Sequence, residues 1–299
     1  MAWYEGRFTL GIAIGIVFGM IARFQMLRTD YRQYPTYPHG KIIHIALGFI
    51  AAGLGAVAVP ALLNKEYTAV TFLTLAAQQF RDVRKMERET LMKIDETELV
   101  PRGSAYIEGI AMVFEGRNYL VILTALVTTL CTVLFAWYWG VTAGVLALLL
   151  NAMLKSGKNL KSIVDVQPAE IRIDGPGLYV DNIYIMNIGL EDTRDKMRKH
   201  GMGFILTPSN KDGRISIANL GQRQAILHNL SAILGIYRDS GEPSLLPMAK
   251  LDLEDGRLAV FFLAPQVHLE QALQILQHVP LLEYAVRLPR KAERKGRSG

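Results

Sequence analysis

The sequence predicts a polytopic α-helical membrane domain of about five spans, followed by a cytoplasmic α/β (α+β) domain built from ββα-type units. Hydrophobic residues make up 51% of the 299 residues, and nearly all long apolar runs lie before about residue 155. Beyond that point, short β-rich runs alternate with helical ones, as in a water-soluble domain. The predicted boundaries are residues 1–158 for the transmembrane domain, 159–288 for the α/β domain and 289–299 for a basic, disordered tail.

The number of spans follows from the lengths of the apolar runs, because a helix needs about 20 apolar residues to cross a hydrocarbon core about 30 Å thick. The first span requires Arg23 to extend its charged end toward the lipid headgroups. The third span is short, at about 25 Å of helix. The predicted spans are residues 8–27, 42–63, 64–80, 119–139 and 140–154.

The positions of lysine and arginine predict the orientation. With five spans, the basic stretches at residues 23–41, 81–102 and 155–161 all fall on one face of the membrane. The positive-inside rule then places the N-terminus outside and the C-terminal domain in the cytoplasm of a multi-pass cell-membrane protein. Four spans would put at least one basic stretch outside. The net charge of +6 therefore indicates contact with membrane lipids and no nucleic-acid partner.

Small residues recur every four positions in the first two spans, and this spacing is typical of closely packed membrane helices. The stripes allow tight packing within the bundle or between subunits, which leaves a homo-oligomer open. The predicted packing residues are Gly11, Gly15 and Gly19 in the first span and Gly48, Ala52 and Ala56 in the second.

Between the third and fourth spans, residues 81–98 alternate in charge and predict a solvated helix whose acids between 87 and 98 face water. Residues 104–117 predict an interfacial helix with Glu108 and Glu115 on one face. Those acids lie in water at headgroup level, or one of them is buried and paired with Arg117 or a base of residues 81–93. We predict burial for Glu108.

The string Tyr106-Ile107-Glu108-Gly109-Ile110-Ala111 resembles the YIEGIA family of bacterial membrane proteins, which is named for these letters. The chain length and the order of the hydrophobic and soluble halves agree with that family. The resemblance implies a role in spore formation in endospore-forming Firmicutes, in building the spore envelope, together with a small partner subunit. It supplies no catalytic residues.

In the C-terminal half, Asp-Gly pairs at 212–213 and 255–256 predict two hairpin turns, each within a ββα unit. The half holds no phosphate-binding loop and no nucleophile motif, and its histidines lack metal-ligand spacing. Cys131 is the one cysteine, so there is no intrachain disulfide. We therefore predict no enzyme, no catalytic residue, no metal and no cofactor. The predicted strands are 169–173, 183–188, 204–207, 214–218, 250–253, 258–263 and 282–288, and the predicted helices are 191–199, 221–234 and 268–278.

Together these features predict a non-enzymatic scaffold or assembly factor of the spore envelope, with protein partners in the membrane. Two alternatives stay open. One is a small-solute transporter or channel component, with Gln78, Gln79, Asn151 and the helix of Glu108 and Glu115 lining a path. The other is a membrane-tethered sensor that binds a ligand in its C-terminal domain.

Overall fold

The computed structural model of the chain describes residues 2–31, 38–154, 158–239, 242–243 and 245–286. The chain forms two compact units. The first, here called the helical unit, comprises Met1–Thr90 and Ile110–Ser156, and the second, the α/β unit, comprises Leu91–Gly109 and Gly157–Gly299. Residues 91–109, predicted from the sequence to lie in the membrane domain, thus belong to the α/β unit. The predicted tail at 289–299 lies outside the described residues.

Five long helices form the N-terminal half: α1 (Ala2–Asp30), α2 (Pro38–Leu63), α3 (Tyr67–Asp95), α4 (Ser104–Leu134) and α5 (Trp137–Leu154). Within the described ranges, four segments are long and apolar enough to cross a membrane: Gly6–Leu27, Gly40–Leu63, Ser104–Leu134 and Trp137–Leu154. The predicted third span is not among them, because the apolar first half of α3 continues directly into a charged second half. The predicted combination of a helical membrane region with an α/β domain is confirmed.

Helix α4 differs from its prediction. The prediction had an interfacial helix at 104–117 and a separate span beginning at 119. The structure has one continuous helix, Ser104–Leu134. Residues 104–134 contain Gly109 and Gly116 but no proline, and isolated glycines do not break a helix. The turn lies instead after Leu134, so that the aromatic residues Trp137, Tyr138 and Trp139 begin α5.

The glycines of α1 lie where neighbouring helices approach closely. A methyl group on Gly15 would overlap the Thr129 side chain of α4. A methyl group on Gly19 would lie 2.7 Å from the Cβ of Ala52 on α2 and 3.2 Å from the Cβ of Ala125 on α4. Helix α1 therefore packs against α2 and α4 together. A methyl group on Gly11 would likewise lie close to the Val133 side chain, and one on Gly48 would lie close to the Arg23 side chain. The side chains of Ala52 and Ala56 are fully buried.

The α/β unit contains two antiparallel sheets and a short two-stranded ribbon. The four-stranded sheet has the order β1–β5–β9–β8, and the three-stranded sheet has the order β2–β3–β4. Both sheets contribute to one hydrophobic core, which includes Leu178, Val180, Phe261 and Leu263. The strands are β1 (Val164–Ala169), β2 (Ile171–Asp174), β3 (Gly177–Val180), β4 (Ile183–Asn187), β5 (Gly201–Pro208), β6 (Arg238–Asp239), β7 (Glu242–Pro243), β8 (Met248–Leu251) and β9 (Leu258–Leu263). The helices are α6 (Glu191–His200), α7 (Lys211–Ala218), α8 (Leu220–Leu234), α9 (Leu269–His278) and α10 (Glu283–Val286).

Two predicted strands are wrong. Residues 214–218 lie in helix α7, whose first turn is capped by the Asn210 side chain accepting from the Gly213 backbone N–H at 2.8 Å. The Asp-Gly pair at 212–213 is therefore helical and forms no hairpin. Residues 283–286 form helix α10, where the prediction placed a strand over 282–288. One predicted ββα unit remains, namely hairpin β8–β9 followed by α9, with Gly256 at a φ of +79° between the strands.

Candidate functional site

Among the described residues of the helical unit, five ionisable side chains are buried, and they are here called the buried charge cluster. They come from four helices and are each at most 6% exposed: Arg23 and Asp30 from α1, His44 from α2, Glu87 from α3 and Arg117 from α4. Charged side chains are rarely buried to this degree unless they are paired. In membrane proteins such groups are usually functional.

Asp30 is the centre of one half of the cluster. It accepts a hydrogen bond from Nη1 of Arg117, and Nη1 of Arg23 lies 3.7 Å from its other carboxylate oxygen. Arg117 also donates to the backbone carbonyl of Met26 at 3.0 Å. One carboxylate thus joins α1 to α4 between two guanidinium groups. Removing one partner of such a buried group typically costs about 3–5 kcal/mol, because the remaining charge is left without compensation.

His44 is the centre of the other half. Its Nε2 lies 3.4 Å from Oε1 of Glu87, and its Nδ1 lies 3.5 Å from the hydroxyl oxygen of Tyr31. Arg23 Nε donates to the His44 backbone carbonyl at 3.1 Å, and its guanidinium lies 4.7 Å from the ring centroid of Phe114. These contacts join α1, α2 and α3.

The observed burial of charged side chains corrects two expectations. Arg23 is fully buried among protein groups and does not extend toward the headgroups. Glu87 is 6% exposed and Asp95 is 8% exposed, although both were predicted to face water. Glu96, in contrast, is exposed as predicted. No sequence pattern connects His44 with Glu87, which lie 43 residues apart, so only helix packing reveals the pair.

The residues proposed to line a transport path differ in their exposure and in their partners. Gln78 and Gln79 are exposed on α3. Asn151 is buried, and its side-chain amide donates to the Thr124 hydroxyl of α4 at 3.0 Å. Glu115 pairs with Arg84 of α3 at 3.5 Å, so a base of residues 81–93 does contact one of the two acids.

The first four residues of the hexapeptide, 106–109, lie in the α/β unit and pack against α8 and α10. The Tyr284 hydroxyl of α10 donates to the Ala105 carbonyl at 3.0 Å, and a methyl group on Gly109 would overlap the Tyr284 ring. The Tyr106 backbone N–H donates to the Gln224 side chain of α8 at 3.0 Å. Glycine at 109 is thus required by contact with a ring more than 170 residues away in sequence, for which the sequence contains no signal.

The other residues of the hexapeptide are also mostly buried. Tyr106, Ile107, Ile110 and Ala111 are each at most 2% exposed, whereas Glu108 is partly exposed. Burial raises the pKa of the Tyr284 hydroxyl, and the nearby Tyr106 and Glu108 side chains raise it further. The predicted burial of Glu108 against a base stays a prediction.

Residues 280–286 are held against α8 and are here called the C-terminal strap. The Gln222 side chain donates to the Pro280 carbonyl at 3.2 Å and accepts from the Leu282 backbone N–H at 2.8 Å. The nitrogen and the oxygen of one buried side-chain amide therefore both bind the backbone of the strap. The Leu282 N–H is a backbone group that the predicted strand at 282–288 would have used for pairing.

The loop before α4 is fixed by a second set of polar contacts. The Asp95 carboxylate accepts from the backbone N–H groups of Arg102 at 2.6 Å and of Gly103 at 3.1 Å. Gly103 has a φ of +89°, a conformation that favours glycine. His228 of α8 lies with Nδ1 3.1 Å from the Val100 carbonyl. Burial lowers the pKa of His228, and the positive charge of Arg102 lowers it further.

Long apolar helices, a buried charge cluster and a packed α/β unit define the class, a membrane-associated helical protein with an α/β unit. The family model described as YIEGIA protein matches residues 11–292, so the chain belongs to the YIEGIA family. It is 60% identical over 278 residues to the uncharacterized protein YphB of Bacillus subtilis (strain 168), covering 93% of this chain and 94% of that protein. No solved structure matches the chain. Within the described part of the chain, no group of three His, Cys, Asp or Glu is placed to hold a metal ion.

Proposed function

We propose that this chain is a non-enzymatic integral membrane protein that acts in sporulation as a scaffold or assembly factor for the spore envelope. Membership of the YIEGIA family and 60% identity to a protein of an endospore former support the sporulation setting. Its partners are membrane lipids and other proteins of the developing envelope.

The observation that carries the scaffold proposal is the packing of the family hexapeptide. Its glycine and its backbone groups contact Tyr284 and Gln224 within the α/β unit. The same helix continues as one of the apolar segments long enough to cross a membrane. A motif used in this way makes the start of an apolar helix part of the packed α/β unit, which is the property that an assembly factor needs.

The proposed topology has five spans, with the N-terminus outside and the α/β unit in the cytoplasm. The first half of α3 exposes large apolar side chains, with Tyr67 at 78%, Phe72 at 70% and Leu75 at 56%. A contiguous apolar surface of this kind is usually covered, and lipid around a membrane-spanning α3 would cover it.

With Cys131 replaced by serine, a membrane-impermeant thiol reagent applied to intact cells should modify a cysteine at Glu66 and miss one at Asp212. Modification at Asp212 would contradict this orientation.

The function is tested by deleting the gene in an endospore former and scoring spore yield and envelope integrity against the complemented strain. The proposal predicts normal growth, with fewer spores or with spores sensitive to lysozyme and solvent. A deletion strain whose spores are normal in number and resistance would refute it.

A transporter or channel component is the second candidate, and the buried charge cluster favours it, because buried charges in membrane helices often lie on ion or proton pathways. In proteoliposomes with an imposed pH gradient, this candidate predicts faster dissipation by the wild type than by Asp30→Asn. Equal rates, matching those of empty liposomes, would exclude proton conduction through the cluster.

A further inference from the structure

A groove lies between helices α4 and α5 of the helical unit, next to the turn that joins them, and is here called the α4–α5 groove. Its volume is about 320 Å³, at the lower end of the range of about 300–1,000 Å³ for pockets that hold small molecules. The lining is largely apolar, and the Thr142 hydroxyl within it already donates to the Tyr138 carbonyl at 2.7 Å. The lining residues are Cys131, Phe135, Trp139, Thr142, Ala143 and Leu146.

The end of the groove beside the turn is aromatic. Phe135 and Trp139 are each more than half exposed, and their ring centroids lie 6.5 Å apart. Exposed aromatic rings at the ends of apolar helices are typical of the headgroup region of a bilayer. Both α4 and α5 are long and apolar enough to cross a membrane. We therefore expect this end of the groove at the headgroups and the part lined by Cys131 and Leu146 at the depth of the acyl chains.

A cation lies at the same turn. Nη2 of Arg7 on α1 donates to the Phe135 backbone carbonyl at 3.2 Å, and this contact is exposed. Phe135 thus contacts the cation with its carbonyl and lines the groove with its side chain. Residues 118–154 contain no charged side chain, so the turn and the helix segments beside it supply no acid to offset Arg7. A guanidinium carries five N–H donors and can bind a phosphate while it holds a carbonyl.

We propose that the α4–α5 groove holds one acyl chain of an anionic phospholipid whose phosphate binds Arg7. Charge complementarity identifies the occupant, because an apolar groove with a cation at its headgroup end fits a molecule with an apolar chain and a negative head. An apolar helix of another protein would fill the groove without using the charge of Arg7. This inference rests on the proposed membrane-spanning role of α4 and α5, but it does not depend on sporulation.

The test is fluorescence quenching by lipids with brominated acyl chains, which quench tryptophan on contact. Trp3→Phe and Trp137→Phe leave Trp139 as the one tryptophan of the full-length protein. The protein is placed in nanodiscs of ordinary phosphatidylcholine with increasing fractions of either brominated phosphatidylglycerol or brominated phosphatidylcholine. Half-maximal quenching should need about fivefold less phosphatidylglycerol, which corresponds to about 1 kcal/mol, because its net charge is negative whereas choline neutralises phosphatidylcholine.

Arg7→Gln should remove this preference, whereas Arg7→Lys, which keeps the charge, should retain most of it. Ala143→Phe places a ring in the groove and should also remove the preference, whereas Val145→Phe, at an exposed position of α5 outside the lining, should retain it.

Equal quenching by the two lipids would overturn the proposal, and so would a preference that survives Arg7→Gln. Absence of quenching by either lipid would also overturn it, because a protein surface, such as a second copy of this chain, would then cover the groove. These results concern only lipid binding by purified protein, so they are distinguishable from a failure of the topology and sporulation tests in cells.

Discussion

Replacing Gly109 with alanine tests whether the family hexapeptide is a packing element. The added methyl group would overlap the Tyr284 ring, so the ring must move and the hydrogen bond from Tyr284 to Ala105 is lost. Gly116, seven residues further along the same helix, is the matched control, because a methyl group added there would meet nothing within 4 Å. Both substitutions replace a helical glycine, so their difference isolates the contact with Tyr284.

The magnitude follows from three contributions. Alanine in place of glycine stabilises a helix interior by about 0.5–1 kcal/mol. Overpacking against the ring costs about 1–3 kcal/mol, and the lost hydrogen bond costs about 1 kcal/mol. Gly109→Ala should therefore destabilise the strap by about 1–3 kcal/mol, whereas Gly116→Ala should be neutral or stabilising.

The assay is amide hydrogen exchange at Leu282, whose N–H is held by Gln222, in the full-length protein in nanodiscs. A change of about 1–3 kcal/mol corresponds to exchange faster by roughly 5- to 150-fold. Tyr284→Ala removes the ring, so adding Gly109→Ala to it should have little further effect. Equal exchange rates for Gly109→Ala and Gly116→Ala would show that contact between residue 109 and the Tyr284 ring does not control the stability of the strap.

Three further predictions concern other contacts. Residues 99–104 match a thrombin cleavage sequence, and the folded chain should resist cleavage after Arg102. Asp95→Asn removes the charge that holds two backbone N–H groups of this loop, so thrombin should cleave the variant about tenfold faster or more. Equal cleavage rates would contradict a stabilising role for this contact. Because burial lowers the folded-state pKa of His228, the unfolded chain takes up the proton first below about pH 6.5. As the pH decreases below that value, the free energy of unfolding should therefore decrease, whereas above it this group should have no effect. The contrary result would be a pH profile that is unchanged in His228→Gln. Gly15→Leu should lower the thermal stability of the helical unit in detergent, whereas Ile14→Leu, which leaves the stripe intact, should not. Equal melting temperatures for the two variants would show that Gly15 is not needed for helix packing.

The helices of the membrane half were predictable because long apolar runs carry a strong local signal. The glycine stripe of α1 also has a local pattern, and the structure places Gly15 and Gly19 against α2 and α4. The boundary between an interfacial helix and a span in α4 was not predictable, because a change in polarity does not require a break in a helix. Hydropathy detects the environment of a segment but not its continuity.

The misassigned strands have a different cause. An Asp-Gly pair is typical of hairpin turns, but Asn210 caps a helix at that point and overrides the pattern. Residues 282–286 have an apolar, strand-like composition, yet the Gln222 side chain occupies the Leu282 N–H that a strand would pair. Both outcomes depend on side chains outside the segment being assigned.

The buried charge cluster was the least predictable feature. Arg23 lies in an apolar run and Glu87 in an alternating charged helix, where the usual outcomes are a headgroup contact and exposure to water. Their burial depends on four helices placing opposite charges within reach of one another. The spacing of residues within a single helix does not predict that arrangement.

If the family hexapeptide acts in sporulation by packing within the α/β unit, its glycine at 109 should be needed for spore formation. The most direct measurement is spore yield and envelope resistance in a deletion strain complemented with Gly109→Leu or with Gly116→Leu at matched protein levels. Gly116→Leu should restore sporulation, and Gly109→Leu should not. Full restoration by Gly109→Leu would contradict it.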